Sequence, residues 1–132
     1  MDPRDKAIRI AEREGLCSVS SNTKWQRLLP RLKEIPCEKR IKFIDGEEPT
    51  AWQRAMWQPH PTYVEASCGP TELKFVEWIE IRSIEKQMQG ALLADKEIDH
   101  SKGIRQLLDE QCAVFKEAGE SFLVFGYTRP EE

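Results

Sequence analysis

Apolar positions along the chain follow two rhythms, and the switches between them predict its elements. Ala7, Ile8 and Ala11 recur at helical spacing within the first fifteen residues, with Asp2 as a cap, Pro3 at the first turn and Gly15 as a stop. Trp25, Leu28, Leu29, Leu32 and Ile35 form a longer i, i+3, i+4, i+7 stripe that opens at Ser21–Thr23 and ends at Pro36. Pro30 lies inside that stripe and predicts a kink or a split into two short helices. At Lys39 the period changes to two: Ile41 and Phe43 alternate with polar neighbours up to Asp45-Gly46, which predicts a strand. Glu47 to Pro61 has no period and carries three prolines.

Thr62–Ser67 reads as a strand, Cys68-Gly69-Pro70 as a turn and Thr71–Arg82 as a long strand, with antiparallel pairing across the turn. Ser83 to Asp95 fits either a short helix or a loop. A final helix is expected over Lys102–Ala118 on Ile104, Leu107, Leu108, Cys112 and Phe115. Asp99, His100 or Ser101 would cap it and Gly119 would end it. Phe122–Thr128 closes the chain as a strand rich enough in aromatic and β-branched residues to be central. The succession predicts an α+β fold with a mixed or antiparallel sheet of about four strands, two N-terminal helices and one C-terminal helix before the last strand. Residues 1–21 read as an N-terminal helical extension and 22–132 as a single α+β domain.

Composition narrows the class. With 132 residues, two separate cores would each be marginal. No apolar run approaches the roughly 20 residues of a membrane span, and no signal-peptide pattern follows the N-terminus. A cytoplasmic location is therefore expected, with Cys17, Cys37, Cys68 and Cys112 reduced. The net charge of −3 removes any global attraction to nucleic acid or anionic lipid. That mean conceals an asymmetry: residues 1–44 sum to +5 and residues 45–132 to −8. Either the halves neutralise each other in the fold, or an acidic face is left for a basic partner.

Two segments carry candidate chemistry. In the strand Thr71–Arg82, strict alternation puts Glu77 on the same face as Leu73, Phe75, Ile79 and Ile81. A carboxylate buried there must be paired or protonated. The competing reading is a β-bulge or strand break at Val76–Glu77 that shifts the phase and exposes Glu77. The loop Ala51–Pro61 holds Trp52, Arg54, Met56 and Trp57, residue types that concentrate at binding hot spots. The same rings would serve equally as a lid over the core.

Catalytic and metal signatures are missing. There is no glycine-rich phosphate loop, no nucleophile elbow and no His-Glu-x-x-His. Cys68 with His60 or His100 lacks the local pattern of a nucleophile–base pair. Cys37, Cys68, His60 and His100 offer zinc-ligand types without the paired short spacing of structural zinc. Asp95, Glu97 and Asp99 do not follow calcium-loop spacing. No cofactor and no metal is expected.

Asn22-Thr23-Lys24-Trp25, Arg40-Ile41-Lys42-Phe43-Ile44-Asp45, Gly69-Pro70 followed by Glu77-Trp78-Ile79-Glu80-Ile81, and Phe125-Gly126-Tyr127 together resemble a family of small bacterial proteins of unknown function over about residues 22–128. The resemblance brings no established activity and no catalytic residue. What it implies is company with small acidic α+β proteins of the immunity type, which neutralise toxins. The expected function is a non-enzymatic protein-binding module, of the toxin-neutralising kind, with Trp52, Arg54, Met56 and Trp57 as contacts. Its expected partner is a protein, such as a basic toxin domain, with no nucleic acid and no membrane involved. The alternatives are an enzyme or small-ligand protein built around Glu77, and a homo-oligomeric structural protein, for instance a homodimer.

Overall fold

The computed structural model describes residues 3–53, 63–66, 69–87, 90, 93–94 and 96–129. Helix α1 (Pro3–Glu14) leads to a two-residue strand β1 (Cys17–Ser18) and helix α2 (Asn22–Lys33). Strands β2 (Lys39–Phe43), β3 (Tyr63–Ala66) and β4 (Gly69–Glu72) follow, then a single 3-10 turn (Leu73–Phe75) and strand β5 (Val76–Arg82). Strands β6 (Ile84–Gln87) and β7 (Lys96–Asp99) precede helix α3 (Ser101–Glu110), and β8 (Phe115–Ala118), β9 (Ser121–Phe125) and β10 (Tyr127–Thr128) complete the order. The principal sheet has four strands in the order β2-β5-β9-β8, and every pairing is antiparallel. The α+β architecture expected from the sequence is the one observed, with β9 central.

Alternation decides which side of this sheet is covered. Ile41 and Phe43 on β2, Ile79 and Ile81 on β5, and Phe122 and Val124 on β9 are buried. They form one core cluster with Trp25, Leu28, Leu29 and Leu32 of α2, Ile104, Leu107 and Leu108 of α3, and Ala7 and Ile10 of α1. The interleaved residues on the opposite face are half-buried or exposed, apart from buried Ser121. Hydrophobic burial on the inner face is the main stabilising term of the fold, at about 25 cal/mol for each Å² of apolar surface removed from water.

Several expectations needed correcting. Ile8 does not share the buried face of α1: it is 49% exposed, and Ala7 with Ile10 turns inward instead. Helix α2 runs through Pro30 as one element, because the ring faces solvent while four buried residues on the other side hold both turns to the core. Ser21 caps it, its hydroxyl accepting from the Lys24 N–H at 3.2 Å. The long strand expected over Thr71–Arg82 is two strands separated by the 3-10 turn, with β4 pairing with β3 and β5 with β2 and β9.

At the start of the segment after Ser83, Ile84–Gln87 forms a strand in place of the expected short helix or loop. It contributes to the β6–β7 hairpin, in which Ile84 pairs with Asp99 and Gln87 with Lys96. Helix α3 stops at Glu110 rather than Ala118. Cys112 turns the chain at φ 53°, and Phe115–Ala118 leaves as β8 to pair with β9 across the Gly119–Glu120 turn. Lastly, the N-terminal segment contributes Ala7 and Ile10 to the common core, and β1 pairs with β10.

Candidate functional site

The outer face of the sheet is built in rows that run across the strands. One row is Arg40, Glu80, Leu123 and Lys116, taken from β2, β5, β9 and β8 in order. A second is Lys42, Trp78 and Phe125, and a third Arg82, Ser121 and Ala118. Because strand side chains alternate, the residues of these rows on β2, β5 and β9 sit outward while Ile41, Ile79, Ile81, Phe122 and Val124 beside them are buried inward.

Trp52 reaches this face through the edge of the sheet. Residues 50–53 run beside β2 on the side away from β5. The Thr50 N–H donates to the Ile41 carbonyl at 2.8 Å, and the Thr50 hydroxyl accepts from the Ile41 N–H at 3.0 Å. Gln53 and Lys39 exchange both backbone hydrogen bonds at 2.9 Å. These bonds occupy donors and acceptors that an edge strand would otherwise present to other chains. They also fix the indole: the Arg40 guanidinium carbon lies 4.5 Å from the Trp52 ring centroid and that of Arg82 lies 4.1 Å away. Each contact is a cation–π interaction worth about 0.5–1 kcal/mol where it is exposed.

Two guanidinium groups around one ring repel each other, and Glu80 relieves that repulsion. Its Oε1 accepts from both Nε and Nη2 of Arg40 at 2.7 Å, and its Oε2 accepts from the Ser121 hydroxyl at 2.6 Å. Arg82 has no carboxylate within ion-pair distance among the described residues, and its charge is met by the indole alone.

Glu77 fills the other end of the face. Lys42 opposes Trp78 and Phe43 opposes Val76, so Glu77 is the extra residue of a β-bulge. The bulge anticipated at Val76–Glu77 is therefore present, but it does not expose Glu77, which is only 6% exposed. Its Oε1 receives Lys42 Nζ at 3.2 Å and Arg129 Nη2 at 3.4 Å. Its carbonyl accepts from the Gly126 N–H at 2.7 Å. Held between Lys42 and Arg129 in this way, the carboxylate serves as their shared counter-ion.

A second charged assembly lies at the corner where the β6–β7 hairpin meets α3. Glu85 is 7% exposed; its Oε1 lies 2.9 Å from His100 Nε2 and its Oε2 accepts from Gln87 Nε2 at 3.1 Å. His100 precedes α3 without capping it; Asp99 Oδ1 instead accepts the Ser101 N–H at 2.8 Å. That side-chain and backbone bonding from Ser101, with the nearby charges of His100 and Arg105, holds the Asp99 carboxyl below its ordinary range. A cavity of about 390 Å³ opens beside this corner, lined by Glu38, Glu85, Glu97 and Glu120 together with Arg82 and Lys86.

Of the residues singled out from sequence, Trp52 and Glu77 thus share the outer face, whereas Arg54, Met56 and Trp57 lie outside the described residues. His60 and Cys68 do as well; Cys17, Cys37 and Cys112 are thiols. Among the described residues no group of three or more His, Cys, Asp or Glu is arranged to hold a metal ion. No described helix is long and apolar enough to cross a membrane. Sequence reasoning missed Arg40, Glu80 and Arg82. Their signal was the alternation of charges with buried apolar residues on two strands, but their meeting depends on strand register.

The model of a family of unknown function, DUF6678, matches residues 7–131. The chain belongs to the DUF6678 family. The match includes most of α1 as well as the sheet. No curated protein and no solved structure matches this DUF6678 chain.

Proposed function

We propose that the chain is a non-enzymatic protein-binding module that meets its partner through the outer face of the sheet, with Trp52 at the centre of the contact. One observation carries the reading: a half-buried tryptophan, fixed by backbone bonds at the sheet edge and flanked by two arginines, stands on the face opposite the helices. Tryptophan and arginine dominate binding hot spots because each presents a large, rigid contact area with a polar margin. A face already ordered in the free protein loses less conformational entropy on association.

The narrower form of the reading is an immunity-type role, in which the partner is a toxin encoded beside this gene. Support for it is the likeness in size and class noted from sequence. The deciding experiment is affinity capture from the native host with the intact chain and with Trp52→Ala, both checked for fold by circular dichroism. A partner retained by the intact chain and lost with folded Trp52→Ala supports the module, and a toxin as that partner supports the narrower role. If no specific partner appears, or if Trp52→Ala unfolds the domain, Trp52 is a core lid and the reading fails.

A further inference from the structure

Net charge on the outer face has the opposite sign to that of the chain. Five cations stand there, Arg40, Lys42, Arg82, Lys116 and Arg129, against Glu77 and Glu80. Depth separates the acids from most of the cations as well. The side chains of Glu77, Glu80 and Lys42 are 8%, 14% and 15% exposed, whereas Arg40 is 31% and Arg129 40% exposed. Arg82 and Lys116 are exposed and pair with no carboxylate among the described residues. The acids and Lys42 therefore lie beneath, paired with their own neighbours, and Arg40, Arg82, Lys116 and Arg129 lie outermost beside Trp52, Trp78 and Phe125.

From this geometry we infer that the outer face docks a carboxylate-bearing segment of a partner protein; the inference rests on the reading of this face as a protein-binding surface. Arg82 is the anchor. Its guanidinium stacks on the Trp52 ring, which leaves its edge N–H groups to fork onto a carboxylate. Lys116 at the far strand and Arg129 at the bulge end give two further points of attraction, while Trp78, Leu123 and Phe125 supply apolar surface between them. The acidic cavity on the far side of Arg82, with Glu38, Glu97 and Glu120, repels the same segment and so limits its extent. A single-stranded nucleic acid is less well suited. The indole most exposed to cations is already stacked against guanidinium groups, and the adjoining cavity repels phosphate.

The test is a titration of the isotopically labelled full chain with three probes. These are a nine-residue peptide alternating glutamate and leucine, its counterpart with lysine in place of glutamate, and a nine-nucleotide oligothymidine. Indole N–H and arginine Nε–H resonances report on Trp52 and Arg82. The expected result is that the glutamate peptide shifts these signals and binds at least tenfold more tightly than either other probe. Its affinity should fall as salt rises, and Arg82→Glu with Lys116→Glu should reverse the preference between the peptides. Equal or tighter binding of the lysine peptide or of oligothymidine overturns the inference, as does the absence of any shift. A host partner that depends on Trp52 but lacks an acidic contact segment overturns the inference while leaving the binding module standing.

Discussion

The outer face and the β6–α3 corner solve one problem with different chemistry. Each holds a poorly exposed glutamate on a strand, and each carboxylate is satisfied by a side chain brought in from elsewhere. On the outer face the partners of Glu80 and Glu77 are arginine and lysine, charged at any pH the protein meets. At the corner Glu85 meets the His100 ring through Nε2 and the Gln87 amide instead. An assembly with permanent charges resists loss of either member, because the survivor is left as an uncompensated ion. The corner assembly relies on hydrogen bonds with an imidazole ring and an amide.

Backbone geometry separates the two regions most sharply. Gly126 lies opposite the Glu77 bulge, where a Cβ would collide with the Val76 carbonyl oxygen and crowd Trp25 Cζ2 at 3.2 Å. Gly103 lies in α3, where a Cβ would meet nothing within 4 Å. Gly126→Ala should therefore destabilise by about 3 kcal/mol, since backbone atoms cannot yield as a side chain can. Gly103→Ala should stabilise by up to about 1 kcal/mol through lower unfolded-state entropy and higher helix propensity. Urea melts of the two variants give the comparison directly; similar values would mean that the bulge is not held by close backbone approach.

Removing the carboxylates tests the charge argument. Glu80→Ala leaves the Arg40 guanidinium without its counter-ion beside Arg82 and the Ser121 hydroxyl without one acceptor. The expected loss is about 2 kcal/mol, below the full cost of breaking a buried pair because Arg40 retains access to water. Glu85→Ala should lose about 1 kcal/mol, the scale of a side-chain hydrogen bond. Denaturant unfolding at pH 7 orders the two, and a larger loss at Glu85 would reverse the comparison.

These two assemblies also mark where the amino-acid pattern stops being informative. Parity along β5 was enough to bury Ile79 and Ile81, though the bulge takes Glu77 out of that phase to the outer face, and the apolar stripe of α2 was enough to bury Trp25, Leu28, Leu29 and Leu32. The β6–β7 hairpin escaped because its buried position is Glu85, a residue that gives no apolar signal. Cys112 and Phe115 kept helical phase with Leu108, so the end of α3 was hidden; the chain turns there through a positive φ at a residue other than glycine. The outer-face assembly was invisible for another reason. Arg40, Trp52, Glu80 and Arg82 meet through cross-strand register and an edge pairing, and neither is written in local periodicity.

Tyr127, next to the bulge, carries the comparison to the alkaline limb. Its hydroxyl donates to the Lys74 carbonyl at 2.6 Å, and burial pushes its ionisation above the ordinary tyrosine value of 10.0. The unfolded chain therefore releases this proton first as pH rises. The stabilisation is complete below about pH 10 and is lost as pH climbs through the folded-state value. Tyr127→Phe should cost about 1 kcal/mol at neutral pH and flatten that alkaline decline. An unchanged alkaline profile would show that other groups govern it.

The smallest effect is expected at the corner, on the acid limb. Asp99 is fully exposed, and its carboxyl lies below its ordinary range because Ser101 donates to it from side chain and backbone at the start of α3. The folded form thus holds the carboxylate ionised at pH values where the unfolded chain has begun to take up a proton. Its contribution is present above about pH 4 and disappears as pH falls through the lower folded-state value. Asp99→Ala should shift the acid-unfolding midpoint slightly upward in pH, because helix entry then loses the carboxylate that accepts from Ser101. The same substitution should leave the Trp52 indole resonance of the outer face unmoved across the acid titration. Parallel movement of both signals would mean that the corner and the face respond as one unit, and the distinction between the two assemblies would fail.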